Sequence, residues 1–519
     1  MTPRPTTTGP LASGLAHPGL SALPTATPSD ATVRMPDGFL WGAATAAYQI
    51  EGAAHVDGRT DSIWDAFARV PGAVVGGEDG EVACDHYHRY ADDVALMAGL
   101  GLGTYRFSTS WSRVRPDGGP VNAKGLDFYS RLVDELLDHE ILPWVTLYHW
   151  DLPQALEEHG GWTNRDTAYR FAEYAADVHD ALGDRVGVWT TLNEPWCSSF
   201  LSYTAGAHAP GRRSREAGLA AAHHLMLGHG LATAELRRRA PSANLGITLN
   251  LTVTDPVDPT DERDRDAARR IDAQFNRVFL DPILRGAYPA DLLTDLAEVG
   301  LDGAVDDVVH DGDLGVISTP IDTLGVNYYH GEAVSYRAPE RELHGSAPVS
   351  RPTSSPYPAA DGVQVHPRPL PVTAQDWEVQ PEGLTRLLVR VHEEYTAERG
   401  IALYVTENGA AYDDVVAEDG SVDDQDRLAF VDLHLRAIHD AITAGVDVRG
   451  YFAWSLMDNY EWAWGYSKRF GVVRVDYETQ ERTVKASGQW YADIARTGVI
   501  PPLPAASLAA LDRPSDTQG

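Results

Sequence analysis

Short runs of β-branched and apolar residues alternate with longer amphipathic segments along most of this chain. Eight runs are typical of buried strands, and they cover residues 39–43, 103–108, 142–147, 188–193, 245–250, 323–327, 403–407 and 448–454. Before the last run, apolar side chains recur every three or four residues at Leu428, Val431, Leu435, Ile438 and Ile442. Repeated strand–helix units favour parallel strands, so we predict an α/β fold, a single (β/α)8 TIM barrel with long βα loops. A doubly wound open sheet is the alternative.

The two ends of the chain differ in composition from the region between them. Residues 1–32 are rich in Pro, Thr and Ser, and Arg4 and Asp30 are the only charged side chains up to residue 30. Such a segment buries too little apolar surface to offset its loss of conformational entropy. We therefore predict a disordered tail over residues 1–32, one catalytic domain over residues 33–498, and a flexible C-terminal tail over residues 499–519.

The charge balance limits the classes of molecule that this protein is expected to bind. The chain has 75 acidic and 42 basic residues, a formal net charge of −33, and two cysteines. Because phosphates repel a net anion, this composition argues against nucleic-acid binding. No run approaches the ~18 consecutive apolar residues of a membrane span, and two cysteines cannot build a disulfide framework. We expect a cytoplasmic protein with no nucleic-acid and no membrane partner; a homo-oligomer is one of the states that the sequence allows.

Two of the predicted strands end in a glutamate that a strand-breaking residue soon follows. Glu194 directly precedes Pro195, and Glu407 lies two residues before Gly409. A carboxylate at the end of a buried strand is costly unless it is paired or functional, and each of these two could cap a helix or pair with an arginine. In a parallel barrel, however, the carboxyl ends of the strands meet at the active site. Two carboxylates facing each other there favour glycoside hydrolysis, which needs a proton donor and a nucleophile or base.

The segments around these glutamates resemble the paired motifs of glycoside hydrolase family 1, the retaining β-glucosidases. Asn-Glu-Pro stands at residues 193–195 and Thr-Glu-Asn-Gly at residues 406–409. Further landmarks follow the family's order: FLWGAATAAYQIEG at 39–52, CDHYHRY at 84–90, YRFS at 105–108, LYHWDLP at 147–153, GVNYY at 325–329 and WSLMDNYEW at 454–462. The resemblance covers about residues 36–495. It implies hydrolysis of terminal non-reducing β-D-glucosyl residues, and also of β-galactosyl or β-fucosyl residues, with retention through a covalent glycosyl-enzyme.

The same resemblance implies roles for individual residues. Glu194 is expected to be the general acid/base and Glu407 the nucleophile, with Arg106 and Tyr329 supporting the nucleophile. The expected substrate-binding residues are Gln49, His149, Trp150, Asn193, Asn327, Trp454, Glu461, Trp462 and Phe470, and Trp196 is expected on the aglycone side. The implied substrate is a small β-glucoside or a cello-oligosaccharide, which suggests a role in cellulose degradation.

Two alternative functions and one possible metal-binding motif remain to be considered. A 6-phospho-β-glucosidase is disfavoured because Glu461 would repel a phosphate and Phe470 lacks a hydroxyl group. A catalytically silent glycan-binding member of the family is the other alternative, although both Glu194 and Glu407 are present. His86 and His88 form an H-x-H pair, but no third and fourth ligand stand at a suitable spacing. The resemblance implies no cofactor and no metal.

Overall fold

Eight parallel strands form a closed barrel at the centre of the computed structural model, which describes residues 26–341 and 347–511. In chain order the strands are β1 (Leu40–Ala44), β2 (Thr104–Ser108), β3 (Leu142–Tyr148), β4 (Val188–Asn193), β5 (Asn244–Asn250), β6 (Thr323–Asn327), β7 (Ala402–Asn408) and β8 (Val448–Trp454). Each strand pairs with the next one along the chain, and β8 closes the barrel on β1. The predicted TIM barrel is confirmed, and the open sheet is wrong.

A long helix covers the outside of the barrel after each strand. These helices are α1 (His86–Leu100), α2 (Ala123–Asp138), α3 (Asp166–Leu182), α4 (Arg215–Arg239), α5 (Val278–Arg285), α6 (Pro381–Val391), α7 (Gln425–Thr443) and α8 (Ala486–Thr497). The buried side of α7 includes Leu428, Val431, Leu435 and Ile438, as the spacing predicts. The apolar faces of such helices pack on the strands and leave the ends of the barrel to the loops.

Shorter elements lie in the loops. The further helices are Ala47–Ile50, Ile63–Ala68, Trp111–Val114, Gln154–Glu158, Glu262–Asp272, Ala290–Glu298, Asp302–Asp306, Asp313–Ile317 and Ala505–Leu511. Single 3₁₀ turns cover Val75–Gly77, Pro116–Gly118, Gly161–Thr163, Ala397–Arg399 and Trp462–Trp464, and π-helical turns cover Cys197–Ala205, Ala273–Arg277 and His392–Thr396. The further strands are Val33–Arg34, Thr254–Pro256, Glu332–Ser335, Gln364–His366, Val473–Val475, Arg482–Val484 and Val499–Ile500.

Large aromatic side chains fill the interior of the barrel. Trp144 of β3 packs edge-on against Tyr404 of β7 and Phe452 of β8, with ring centroids 4.9 and 5.0 Å apart. The indole nitrogen of Trp144 donates a hydrogen bond to Thr190 Oγ1 at 2.8 Å. Because these side chains plug the barrel, the polar residues at the carboxyl ends of the strands face a cavity and not a pore.

The C-terminal end of the chain is tied to the barrel domain beyond the predicted boundary. Val499–Ile500 pairs antiparallel with Val33–Arg34, and the helix Ala505–Leu511 packs against α7. Leu503 and Leu511 are buried in a small apolar cluster with Phe430 of α7. The prediction of a flexible tail is therefore wrong for residues 499–511, because these apolar side chains find a surface to cover.

The N-terminal end of the described chain is also tied to α7, in part by a buried arginine. Arg436 of α7 donates hydrogen bonds to the carbonyl oxygens of Pro28, Ala31 and Pro501 at 2.7 to 3.0 Å. This arginine therefore holds both ends of the described chain against α7, and the predicted disordered tail is wrong for residues 26–32. The remaining parts of the two predicted tails, residues 1–25 and 512–519, lie outside the described residues.

None of the described helices combines the length and the apolar composition that a membrane span requires. In the same part of the chain, no group of three or more His, Cys, Asp or Glu residues is arranged to hold a metal ion. The two histidines of the H-x-H pair instead contact carboxylates: His86 lies 2.8 Å from Asp93, and His88 lies 2.6 Å from Asp85.

Candidate active site

A cavity of about 460 Å³ opens at the carboxyl end of the barrel, and both predicted glutamates line it. Glu407 is the sixth residue of β7, and Glu194 comes directly after β4. Gly409 is required beside Glu407, since a Cβ atom there would lie 1.7 Å from the carbonyl oxygen of Trp454. The sequence pattern of a strand, a glutamate and a breaker thus places each carboxyl group at the barrel mouth.

Glu407 lies in a cationic environment. Arg106 of β2 donates from Nη1 to Glu407 Oε1 at 2.6 Å, and the Tyr329 hydroxyl donates to Glu407 Oε2 at 2.7 Å. The Arg106 and Glu407 side chains are only 1 % and 3 % exposed. Burial raises the pKa of Glu407, while the guanidinium of Arg106 and the hydroxyl of Tyr329 act in the opposite direction.

Glu194 has hydrogen-bond donors but contacts no cation in the part of the chain that the structure describes. Asn327 of β6 donates from Nδ2 to Glu194 Oε1 at 2.7 Å, and the Cys197 thiol donates to Glu194 Oε2 at 3.2 Å. Burial, and then the negative charge of Glu407, raise the pKa of Glu194 to about 8. Because Arg106 contacts Glu407 and not Glu194, the pair holds its negative charge on Glu407 and its proton on Glu194.

Asn193 links the two glutamates to a histidine. Its Oδ1 accepts a hydrogen bond from Arg106 Nη2 at 2.6 Å and one from Asn327 Nδ2 at 3.2 Å. Its Nδ2 lies 3.0 Å from Nε2 of His149 and donates to it. Burial holds the pKa of His149 well below its usual value, so the ring is neutral and carries its proton on Nδ1.

Several buried polar atoms in this region have no hydrogen-bond partner among the described residues, and His149 Nδ1, Gln49 Oε1 and Glu461 Oε2 are three of them. The amide nitrogen of Gln49 is fixed by Asn459 Oδ1 at 2.9 Å and by the carbonyl oxygen of Tyr460 at 2.7 Å. Burial and the charges of the two catalytic-pair glutamates raise the pKa of Glu461 to about 8. Unsatisfied buried polar atoms are costly, and a set of both donors and acceptors suits a ligand rich in hydroxyl groups.

Aromatic rings line the same cavity. Trp454 stacks near His149 with centroids 5.7 Å apart, and Trp462 lies 4.5 Å from Trp150. Phe470 is 6.2 Å from Tyr329. On the outer wall, Trp196 packs against Phe275 at 4.3 Å and Tyr357 at 5.9 Å. The structure therefore brings all of the sequence-predicted site residues together. Most of them line the cavity directly, and the other three adjoin lining residues: Arg106 bonds Glu407, Asn193 bonds Arg106, and Gln49 lies beside Glu461.

Three of these residues have a strained backbone. Trp150, Glu194 and Trp462 have φ angles of +74°, +48° and +51°, a left-handed conformation that few non-glycine residues adopt. Each such residue costs ~1–3 kcal/mol and persists only where the surrounding structure imposes it. Their clustering around one cavity indicates that the geometry of this site is maintained at the expense of local stability.

Several lining residues were not found from the sequence. Gln375, Trp377, Phe275 and Tyr357 line the cavity from loops that carry no local signal of a site. Asn250 differs from these four, because it is the last residue of β5 and donates from Nδ2 to Cys197 Sγ at 3.6 Å. A polar residue at the end of a barrel strand is the kind of signal that identified Glu194 and Glu407, and it was also available for Asn250.

A parallel barrel whose mouth holds one protonated and one ionised carboxyl, next to unsatisfied hydroxyl-binding atoms, defines a glycosidase type of site. Comparison with known proteins narrows this class. The model of glycosyl hydrolase family 1 matches residues 31–499. The chain belongs to this family, whose members retain the anomeric configuration.

The names of individual similar proteins are consistent with this family. The chain is 51 % identical to thermostable beta-glucosidase B of Thermobispora bispora over 465 residues, which are 89 % of this chain and 90 % of the relative. It is 48 % identical to a bifunctional beta-D-glucosidase/beta-D-fucosidase of Bifidobacterium breve over 474 residues, covering 89 % and 98 % of the two chains. The crystal structure of psychrophilic beta-glucosidase BglU from Micrococcus antarcticus superposes with a TM-score of 0.86 at 56 % identity, covering 93 % of this chain and 98 % of that one.

Proposed function

We propose that this protein is a retaining β-glucosidase that removes terminal non-reducing β-D-glucosyl residues from small β-glucosides or cello-oligosaccharides. One observation carries the proposal: within residues 26–341 and 347–511, Arg106 is the one cation that contacts the glutamate pair, and it bonds Glu407 and leaves Glu194 to hold the proton. The similarity to β-glucosidases over most of the chain supports this substrate. The relative named as both a glucosidase and a fucosidase supports β-fucosides as further substrates, and we propose β-galactosides as well.

In the first step, Glu407 acts as the nucleophile and Glu194 as the acid. A carboxylate oxygen of Glu407 attacks the anomeric carbon while the bond from that carbon to the leaving oxygen breaks. Glu194 transfers its proton to the leaving oxygen, and the alcohol departs. The product of this step is a covalent ester between the sugar and Glu407, with Glu194 now ionised.

In the second step, the roles of the acid and the base are reversed. Ester formation removes the negative charge of Glu407, and with it one of the two causes that raise the pKa of Glu194. Glu194 therefore stays ionised and takes a proton from an incoming water molecule, whose oxygen attacks the anomeric carbon and displaces Glu407. Two inversions at one carbon give net retention.

The unsatisfied polar atoms supply the sugar contacts in this proposal. Gln49 Oε1 and Glu461 Oε2 accept hydrogen bonds from sugar hydroxyls, and His149 donates one from Nδ1. Trp454 offers a flat surface to the C–H face of the ring. A 6-phosphorylated sugar is not favoured, because the carboxyl groups of Glu461 and Glu407 both line the cavity and neither of them can neutralise a phosphate.

We also propose a cytoplasmic location and a role in cellulose degradation. Both cysteines, Cys84 and Cys197, are free thiols, which suits a reducing compartment. Release of glucose from cello-oligosaccharides is the last hydrolytic step in the breakdown of a β-linked glucan.

The stereochemistry of the released sugar tests the proposed function. With 4-nitrophenyl β-glucoside as substrate, we expect the sugar to appear first as the β-anomer in proton NMR spectra recorded within minutes. The wild-type protein should act much more slowly on the 6-phosphorylated analogue. First appearance of the α-anomer would contradict the double displacement, and complete absence of hydrolysis would favour a silent glycan-binding protein.

The fall of kcat/KM at high pH, the alkaline limb of the pH profile, is expected to follow the deprotonation of Glu194. Because the pKa of Glu194 is raised to about 8, the acid form is present below that pH and is lost as the pH rises through it. We therefore expect kcat/KM to fall about tenfold per pH unit above pH ~8. The Cys197 thiol bonds the ionised form, so Cys197→Ala should move this limb to higher pH by less than about one unit.

Cys84→Ala provides the matched control for this measurement. Cys84 is also buried, but its thiol contacts the carbonyl oxygen of Asp458 and neither member of the glutamate pair. In this variant the pH at which kcat/KM falls should be unchanged, even if the substitution lowers the stability of the protein. A limb that moves equally in both cysteine variants, or an alkaline limb that persists in Glu194→Gln, would show that another group titrates.

A further inference from the structure

The wall of the active-site cavity carries a carboxyl group that the proposed mechanism does not use. Glu332 lines the cavity and begins the short strand Glu332–Ser335, three residues after Tyr329. Three residues of extended chain span at most ~11 Å, so the backbone of Glu332 lies within that distance of Tyr329, whose hydroxyl bonds Glu407. Its backbone is held there by a hydrogen bond from its own N–H group to the carbonyl oxygen of Val253 at 2.8 Å.

One oxygen of the Glu332 carboxyl group lacks a hydrogen-bond partner among the described residues. Its Oε2 atom is buried and has no hydrogen-bond partner within residues 26–341 and 347–511. Arg368 acts on it electrostatically, but the donor atoms of Arg368 are engaged elsewhere. They bond Glu378 Oε2 at 2.6 Å, Asp255 Oδ2 at 3.0 Å and Gln380 Oε1 at 2.8 Å. The arginine therefore neutralises the neighbouring acids and leaves Glu332 free to bind a ligand.

An aromatic row lies in the same part of the cavity. Trp196 is the central member of this row, with its ring centroid 4.3 Å from that of Phe275 and 5.9 Å from that of Tyr357. Burial and the charge of Glu332 raise the pKa of Tyr357, which places this ring within electrostatic range of the carboxyl group. Flat rings stack on the C–H faces of sugars, and a carboxyl group accepts hydrogen bonds from their hydroxyls. The combination suits a sugar better than a purely aromatic group.

We propose that Glu332 binds a saccharide aglycone, accepting hydrogen bonds from the hydroxyls of a sugar unit stacked on the Trp196–Phe275–Tyr357 row. This inference rests on the proposed β-glucosidase activity and adds to it the class of leaving group: an oligosaccharide rather than an aryl alcohol. An aryl aglycone has no hydroxyl groups for Glu332 to bind, so the two substrate classes separate the role of this residue from that of the catalytic pair.

The first test compares two substrates in Glu332→Ala and Glu332→Gln. We expect kcat/KM for cellotriose to fall about 10-fold or more in Glu332→Ala, since a hydrogen bond to a charged group is lost. The value for 4-nitrophenyl β-glucoside should change less than about twofold. Glu340→Ala, at an exposed glutamate farther along the same loop, is the matched control and should change neither value. Equal losses on both substrates, or no loss on cellotriose, would overturn the proposal.

A second measurement isolates the aglycone site from the sugar being cleaved. The wild type and Glu332→Gln are trapped as the covalent 2-deoxy-2-fluoroglucosyl ester and reactivated by transfer to an acceptor. We expect Glu332→Gln, which keeps the shape of the side chain, to need a severalfold higher cellobiose concentration, while reactivation by methanol stays unchanged. An unchanged cellobiose dependence would refute the role of Glu332. Failure of the wild type to form the ester would instead refute the proposed β-glucosidase mechanism.

Discussion

Replacement of Glu407 by glycine is expected to abolish the hydrolysis of β-glucosides, with kcat reduced by at least ~10⁴-fold. Without the carboxylate no ester can form at the anomeric carbon, and the two-step route is lost. The remaining acid, Glu194, cannot compensate, because protonation of the leaving oxygen alone leaves no nucleophile in position. Release of nitrophenol from 4-nitrophenyl β-glucoside measures the loss directly.

Glu407→Gln separates the chemistry from the stability of the site. In the glycine variant, Arg106 loses its ion pair and remains buried, with Asn193 Oδ1 as one remaining partner, and an unpaired buried charge costs ~3–5 kcal/mol. The glutamine variant keeps an oxygen for Arg106 or Tyr329 but cannot form the ester. We expect both variants to be inactive and only the glycine variant to melt well below the wild type. Substantial hydrolysis by the folded glutamine variant would show that Glu407 is not the nucleophile.

Replacement of Glu194 by alanine is expected to give a protein that still forms the ester but scarcely hydrolyses it. Substrates with good leaving groups need little protonation, so the first step should survive with them. The second step lacks its general base, and kcat should fall ~10²–10⁴-fold. Added azide should restore turnover, since this small anion needs no base and fits the space that the missing carboxyl group leaves.

The configuration of the azide product distinguishes the two glutamates. Glu194→Ala should yield the β-glycosyl azide, because the ester at Glu407 is displaced after a first inversion. Glu407→Gly with azide should yield the α-glycosyl azide from the same β-glucoside, because azide then acts in a single inversion. An α-azide from Glu194→Ala would reverse the proposed roles, and the two variants serve as controls for each other.

Much of this architecture is predictable because short segments of the sequence determine the strands and helices. All eight barrel strands were predicted from runs of five to seven residues, and the helix α7 was predicted from the spacing of its leucines, valines and isoleucines. Glu194 and Glu407 could be placed at one end of the barrel because parallel strands share the direction of their carboxyl ends. The resemblance to a family then supplied the expected partners, and the structure brings them together.

At the ends of the chain, local sequence patterns do not predict the structure. Residues 499–511 have few charged or strongly patterned side chains, and a window of that composition predicts a tail. Their order comes from Leu503, Leu511 and the backbone carbonyls that Arg436 binds, all of which meet on α7 only after the barrel has formed. Burial of this kind depends on a surface made by distant residues, so composition alone cannot reveal it.

By itself, then, the sequence determined the barrel, the end of it that holds the site, and the two glutamates that face the cavity. The family resemblance implied which glutamate keeps the proton, but only the tertiary structure supplies the physical reason. That choice depends on Arg106, 301 positions from Glu407 in the chain, and on the burial of both carboxyl groups among residues from several strands. The same is true of Glu332, whose lack of a partner follows from the bonds that Arg368 makes elsewhere. Periodicity is a local property of the chain, whereas a pKa or an unsatisfied hydrogen bond depends on groups that only folding brings together.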